Sequence, residues 1–201
     1  MRAYIESNFV LELAFEQDEA ESCRDILSLC ESGRLDLVIP AFALAEPFYA
    51  LVGREKTRKR VAEDLTQQLR EMARGRMAAE ESDALASVAA LLVRSLDRER
   101  SGLRTALHRV AACVEITPLN RETIQRAAAL EQEPGMPAAD ALVLASVVLD
   151  LEESPEASVF LNRNRKDFSN PDIESILDSH GCRLIPSFQQ GLGYIQQRLG
   201  A

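Results

Sequence analysis

RAYIESNFVLEL, residues 2–13, holds two patterns in one short stretch. The apolar start Ala3-Tyr4-Ile5 runs into Glu6, then Ser7 and Asn8, and a second apolar run opens at Phe9-Val10-Leu11. A short apolar segment, a polar break and a new apolar run together read as a buried strand feeding a helix. Ser7 and Asn8 are expected to cap that helix. The strand ends on a carboxylate. A charge beside buried sequence is costly unless something compensates it, so Glu6 is the first candidate for chemistry.

The same alternation continues along the chain. Asp18 to Cys30 predicts a helix, since Cys23, Ile26, Leu27 and Cys30 recur at helical spacing and Gly33 follows as a stop. Leu35 to Ile39 reads as a strand closed by Pro40. Ala41 to Leu51 reads as helical, with Pro47 bending it or marking its first turn. Arg54 to about Arg74 is a charged amphipathic helix broken by Gly75, and Glu80 to about Ala112 is a second helical stretch with an interruption expected near Gly102. A strand at Val114–Thr117, a helix at Arg121–Glu131 and a turn at Pro134-Gly135 come next. They lead to a buried helix from Pro137 to Leu151, strands at Ser158–Leu161 and Cys182–Ile185, and a last helix at Phe188–Leu199. Short continuous apolar strands between helices predict an α/β fold, a three-layer sandwich with a central parallel sheet. One domain over residues 1–201 is expected, with an extended helical insertion at about 54–112.

Composition narrows the function. Hydrophobic residues make up 46% of the 201, enough for a sizeable core. No apolar run reaches membrane-spanning length, and the acids that follow Arg2 do not resemble a signal peptide, so a cytoplasmic location is expected. Cys23, Cys30, Cys113 and Cys182 lack paired spacing and read as reduced core thiols. His108 and His180 are assigned no chemistry. A formal charge of −9 argues against a broad basic face for nucleic acid. The local run Arg54, Lys56, Arg58, Lys59 and Arg60 nonetheless offers phosphate contacts, against the alternative of a solvated helix face.

In a parallel α/β sheet, sites form at the carboxyl ends of the strands. Four acids are expected near that edge: Glu6, Glu46 in PAFALAEPF, Asp140 in MPAADALVLAS, and Asp167 in FLNRNRKDF, accompanied by Asn162 and Asn164. Converging carboxylates repel unless a cation sits among them, and an all-oxygen set favours Mg²⁺ or Mn²⁺. Such an ion activates water and offsets charge developing on a phosphate.

These motifs, in this order, make the chain resemble PIN-domain proteins, small metal-dependent ribonucleases that include many bacterial toxins. The resemblance implies Glu6, Glu46 and Asp140 as metal-binding acids, with Asp167 or Asn164 completing the site and Asn8 and Asn162 as supporting polar groups. It also implies RNA as substrate, an antitoxin or other protein partner, and pairing as a homodimer. Family members usually carry Asp where this chain has Glu6, whose carboxylate reaches roughly 1.5 Å further. The family's threonine in the last motif is Asn162 here, which keeps a polar side chain without the hydroxyl. Two other functions stay open: a PIN-fold module that binds RNA or protein without cutting, and a receiver-like signalling domain. The second lacks an evident late-strand lysine and a phosphate-accepting Asp on a middle strand.

Overall fold

The computed structural model describes residues 1–72, 74, 79–131, 136–163 and 171–200. The strands are β1 (Arg2–Ile5), β2 (Asp36–Pro40), β3 (Glu115–Thr117), β4 (Ser158–Leu161) and β5 (Cys182–Ile185). The helices are α1 (Ser7–Phe15), α2 (Ala20–Glu31), α3 (Glu46–Met72), α4 (Ala79–Cys113), α5 (Arg121–Leu130), α6 (Ala138–Glu153), α7 (Pro171–Ser179) and α8 (Phe188–Leu199). The five strands form one parallel sheet in the order β3-β2-β1-β4-β5. From β1 the chain winds outward to β2 and β3, then crosses back to β4 and β5 on the other side of β1. The winding therefore reverses between β1 and β4, which opens a crevice at the carboxyl ends of those strands.

Every residue of β1 and β4 is buried, because helices cover both faces of the sheet. This is the physical reason these strands are apolar without alternation after their first residues, Arg2 and Ser158. Tyr4, Ile5, Phe9, Ile26, Leu27, Ile39, Leu144, Phe160, Leu161 and Phe188 are almost fully buried in one continuous core. Helix α6 is buried along most of its length, with Ala141, Leu144, Ala145, Val147, Val148 and Leu151 all in the core. All four cysteines are free thiols. Among the described residues no helix is long and apolar enough to cross a membrane.

Several local readings change. The expected helix from Ala41 to Leu51 divides into a 3-10 turn at Ala41–Leu44 and the start of α3 at Glu46. Pro47 stands in the first turn of α3, where its missing N–H costs nothing. Helix α4 runs unbroken through Gly102. Gly102 is there for contact rather than as a break: a Cβ at this position would lie 2.1 Å from the backbone oxygen of Ala14, so α1 and α4 can approach this closely only across a glycine. Helix α7 is an element that the sequence pattern does not announce, although Ile173 and Leu177 are buried at helical spacing and Pro171 stands at its first position. The breaks expected at Gly75 and Pro134-Gly135 lie outside the described residues.

Candidate active site

Glu6 follows the last residue of β1 and is itself the N-cap of α1, with φ −131° and ψ −173°. Its Oε2 accepts from the Asn8 backbone N–H at 3.0 Å and from Ser7 Oγ at 2.8 Å. The cap expected from Ser7 and Asn8 is thus supplied by the glutamate, and those two residues form the first turn that holds it. Glu6 is 5% exposed, and its other oxygen, Oε1, is buried without a hydrogen-bond partner among the described residues. One oxygen is anchored and the other is left over.

Glu6 lines a cavity of about 230 Å³ together with Ser7, Asn8, Leu11, Glu46, Ala50, Asp140 and Val143. Three chain segments bring the acids there. Glu6 comes from the end of β1, and Glu46 comes from the first turn of α3, beyond β2 and its 3-10 turn. Asp140 comes from the first turn of α6, which starts immediately after Pro137. Acids in the first turn of a helix are favoured by its dipole, so Glu46 and Asp140 each sit where the local structure welcomes a charge. Glu6, at the N-cap of α1, shares that benefit, but burial outweighs it. Burial pushes its carboxyl up to about 7, against the pull of the Asn8 and Ser7 hydrogen bonds, and the charge of Glu46 pushes the same way.

Asn162 is buried one residue beyond the Ile5–Leu161 pair that joins β1 to β4. It stands at the level of Glu6 in the sheet but does not line this cavity. Asn164 and Asp167 lie outside the described residues. Among the described residues no three acid, histidine or cysteine side chains are gathered closely enough to form a metal cage on their own. Glu6, Glu46 and Asp140 share a cavity rather than a point.

Asn8 also borders a second cavity, of about 620 Å³, lined by Glu12, Phe15, Glu16, Gln17, Asp18 and Arg163. Glu12 is 1% exposed. Its carboxylate accepts from Arg163 and, at 2.8 Å, from the Glu19 backbone N–H. Arg163 also reaches Asp18 at 3.2 Å. This pair of a buried carboxylate and a partly exposed arginine ties the end of β4 to α1, directly beside Asn162. Neither partner is among the candidates that the sequence singles out. A signal is present all the same: Glu12 falls three residues after Phe9, on the apolar side of α1.

The basic run on α3 is split by its helical geometry. Arg54 and Arg58 both donate to Glu99 Oε1 on α4, at 3.1 and 2.7 Å, and the Arg54 guanidinium lies over the Phe15 ring at 4.2 Å. They hold the helical hairpin together. Lys59 pairs with Glu55 at 2.6 Å on its own helix. Lys56 and Arg60 are exposed.

A PIN-domain family model matches residues 4–168, most of the chain. No curated protein and no solved structure matches it. The chain belongs to the PIN-domain family, whose members are generally nucleases and typically use divalent metal ions.

Proposed function

We propose that this PIN-domain chain is a divalent-metal-dependent ribonuclease, acting at the cavity bounded by Glu6, Glu46 and Asp140. The observation that carries this reading is the second oxygen of Glu6. A carboxylate fixed by two hydrogen bonds through Oε2, with Oε1 buried and unmatched, is an incomplete site. Its raised pKa means that the cavity disfavours a lone anion there, and a cation reverses that balance. The donors are all oxygens, which suits Mg²⁺ or Mn²⁺. Glu6, Glu46 and Asp140 would hold the ion, with Asp167 or Asn164 completing the set.

When bound, the ion would supply Lewis-acid stabilisation of the phosphate and activation of water. The chain's own residues do the positioning. Ser7 and the Asn8 amide hold the Glu6 carboxylate in one orientation, so its free oxygen needs no reorganisation to bind. Leu11, Ala50 and Val143 wall the cavity with apolar surface, which keeps its electrostatics strong. Asn8 borders both cavities and would hydrogen-bond a substrate oxygen there.

A second reading is a module that binds RNA without cutting. It is favoured by the lack of a three-acid cage among the described residues. One experiment separates the two. Purified protein is incubated with mixed structured RNAs and Mn²⁺, beside an Asp140→Asn variant and an EDTA control. Cleavage by the wild type alone, abolished by EDTA, is the expected result. RNA binding without cleavage would leave the binding module, and absence of both metal binding and cleavage would sink the carboxylate site.

A further inference from the structure

The first turns of α3 wall two different spaces. Glu46 and Ala50, four residues apart, line the acidic cavity. Phe48 and Leu51 line a groove of about 540 Å³ that α3 shares with α4. At about 100° per residue the two pairs stand on nearly opposite faces of α3, so groove and cavity are separate. The groove is large enough to seat several side chains of a ligand.

Its α4 wall is ordered by helical spacing. Leu103 and Leu107, four residues apart, join Phe48 and Leu51 in an apolar floor. Leu51 and Leu103 are buried, whereas Phe48 is 53% exposed and Val52, one turn farther along α3, is 63% exposed. Beside this floor Arg100, Arg104 and His108 also recur at every fourth residue, and all three are exposed. They make a row of basic groups about 6 Å apart and about 12 Å long. The lining of the groove contains no acid. Arg100 is partly spent on Glu55 at 3.0 Å and Asp97 at 3.5 Å. Arg104 and His108 make no ion pair among the described residues. In a chain of net charge −9, an open apolar strip edged by cations is surface on offer to a partner of opposite charge.

We infer that the groove between α3 and α4 receives an amphipathic helix of another protein, one with acids at every fourth position along the flank of its apolar face. Acids so placed repeat about 6 Å apart, which is the spacing of the row from Arg100 to His108. The apolar side chains of such a helix would cover Phe48, Leu51, Leu103 and Leu107. A small carboxylate needs one cation rather than a row of three. A second copy of this chain, paired through the same face, would bring a second basic row with no acid in the lining to offset either. Because the groove is separate from the acidic cavity, the inference does not depend on the nuclease reading.

The probe is a fluorescein-labelled synthetic helix of about four turns, with leucines on one face and glutamates at every fourth position beside them. Fluorescence anisotropy with the full chain is expected to show saturable binding that weakens as salt is raised. A peptide of the same composition with its glutamates on the far face, and one with lysines in their place, should bind about tenfold more weakly. Phe48→Ala and Arg104→Glu should each weaken the acidic peptide about tenfold. Arg104→Glu should also strengthen the lysine peptide, a reversal that a misfolded variant cannot give. Arg60→Gln, at an exposed cation elsewhere on α3, should leave both affinities unchanged. No saturable binding of the acidic peptide, or equal binding of the far-face peptide, overturns the inference. Binding of an unpaired RNA oligonucleotide that Arg104→Glu abolishes, with none of the acidic peptide, assigns the row to phosphates and overturns the helix. Sedimentation that shows dimers of the wild type, dissolved by Phe48→Ala, gives the face to a second copy and overturns it as well.

Discussion

Replacing Glu6 by Gln tests the electrostatics of the cavity directly. In the metal-free protein the Glu6 carboxyl is held at about 7, against an ordinary value of 4.5 in the unfolded chain, chiefly because it is buried. Below pH 4.5 the group is protonated in both states and costs nothing. Between 4.5 and 7 the folded state keeps a proton that the unfolded chain has lost, so stability falls as pH rises. Above 7 the group is ionised in both states and the full penalty stands. A tenfold change in proton affinity is worth about 1.4 kcal/mol, so raising the carboxyl from 4.5 to about 7 costs the folded state about 3 kcal/mol. Glu6→Gln removes the ionisation and keeps an oxygen to accept from Ser7 and Asn8. Its amide adds a pH-independent offset, so the diagnostic is the slope rather than the intercept. Urea unfolding of both proteins in EDTA, from pH 4 to pH 8, should show the variant gaining about 3 kcal/mol relative to wild type across that range, mostly between 4.5 and 7. Titration of Mn²⁺ at pH 8 should then stabilise the wild type and leave the variant nearly unmoved. A difference between the two proteins that stays flat with pH would mean that Glu6 titrates as an ordinary solvated carboxylate, and the argument for a charge-starved cavity would fail.

Two further perturbations address the frame around the site. Gly102→Ala gains about 1 kcal/mol of helix propensity but drives a methyl to 2.1 Å from the Ala14 oxygen. Overpacking against backbone should win, for a net loss of about 1–2 kcal/mol in chemical denaturation; a more stable variant would contradict the close approach of α1 and α4. Arg163→Ala leaves the Glu12 carboxylate buried with its principal counter-ion gone and should cost about 2 kcal/mol, less than a fully buried pair because Arg163 is partly exposed. Adding Glu12→Gln to that variant should recover part of the loss, and a double variant no more stable than the single one would count against a buried charge at Glu12.

The strand–helix alternation was legible from RAYIESNFVLEL outward, because strands buried on both faces must be apolar throughout and helices must repeat their apolar residues every three or four positions. Those are local rules that a sequence displays. They also marked Glu6, Glu46 and Asp140 as acids lying beside apolar sequence. Gly102 could not be read correctly in the same way. Along the chain a glycine in a helix looks like a break, and only the Ala14 oxygen packed against it reveals a close contact between two helices. The basic run looked uniform for a similar reason. Its five cations are near neighbours in sequence, yet the helix turns by about 100° per residue, and α4 brings Glu99 against one side alone. The sequence by itself determined which residues could be charged, apolar or helical. The tertiary structure decided which charges are spent on neighbours and which oxygen of Glu6 is left without one, because pairing and burial depend on what distant segments place alongside a residue.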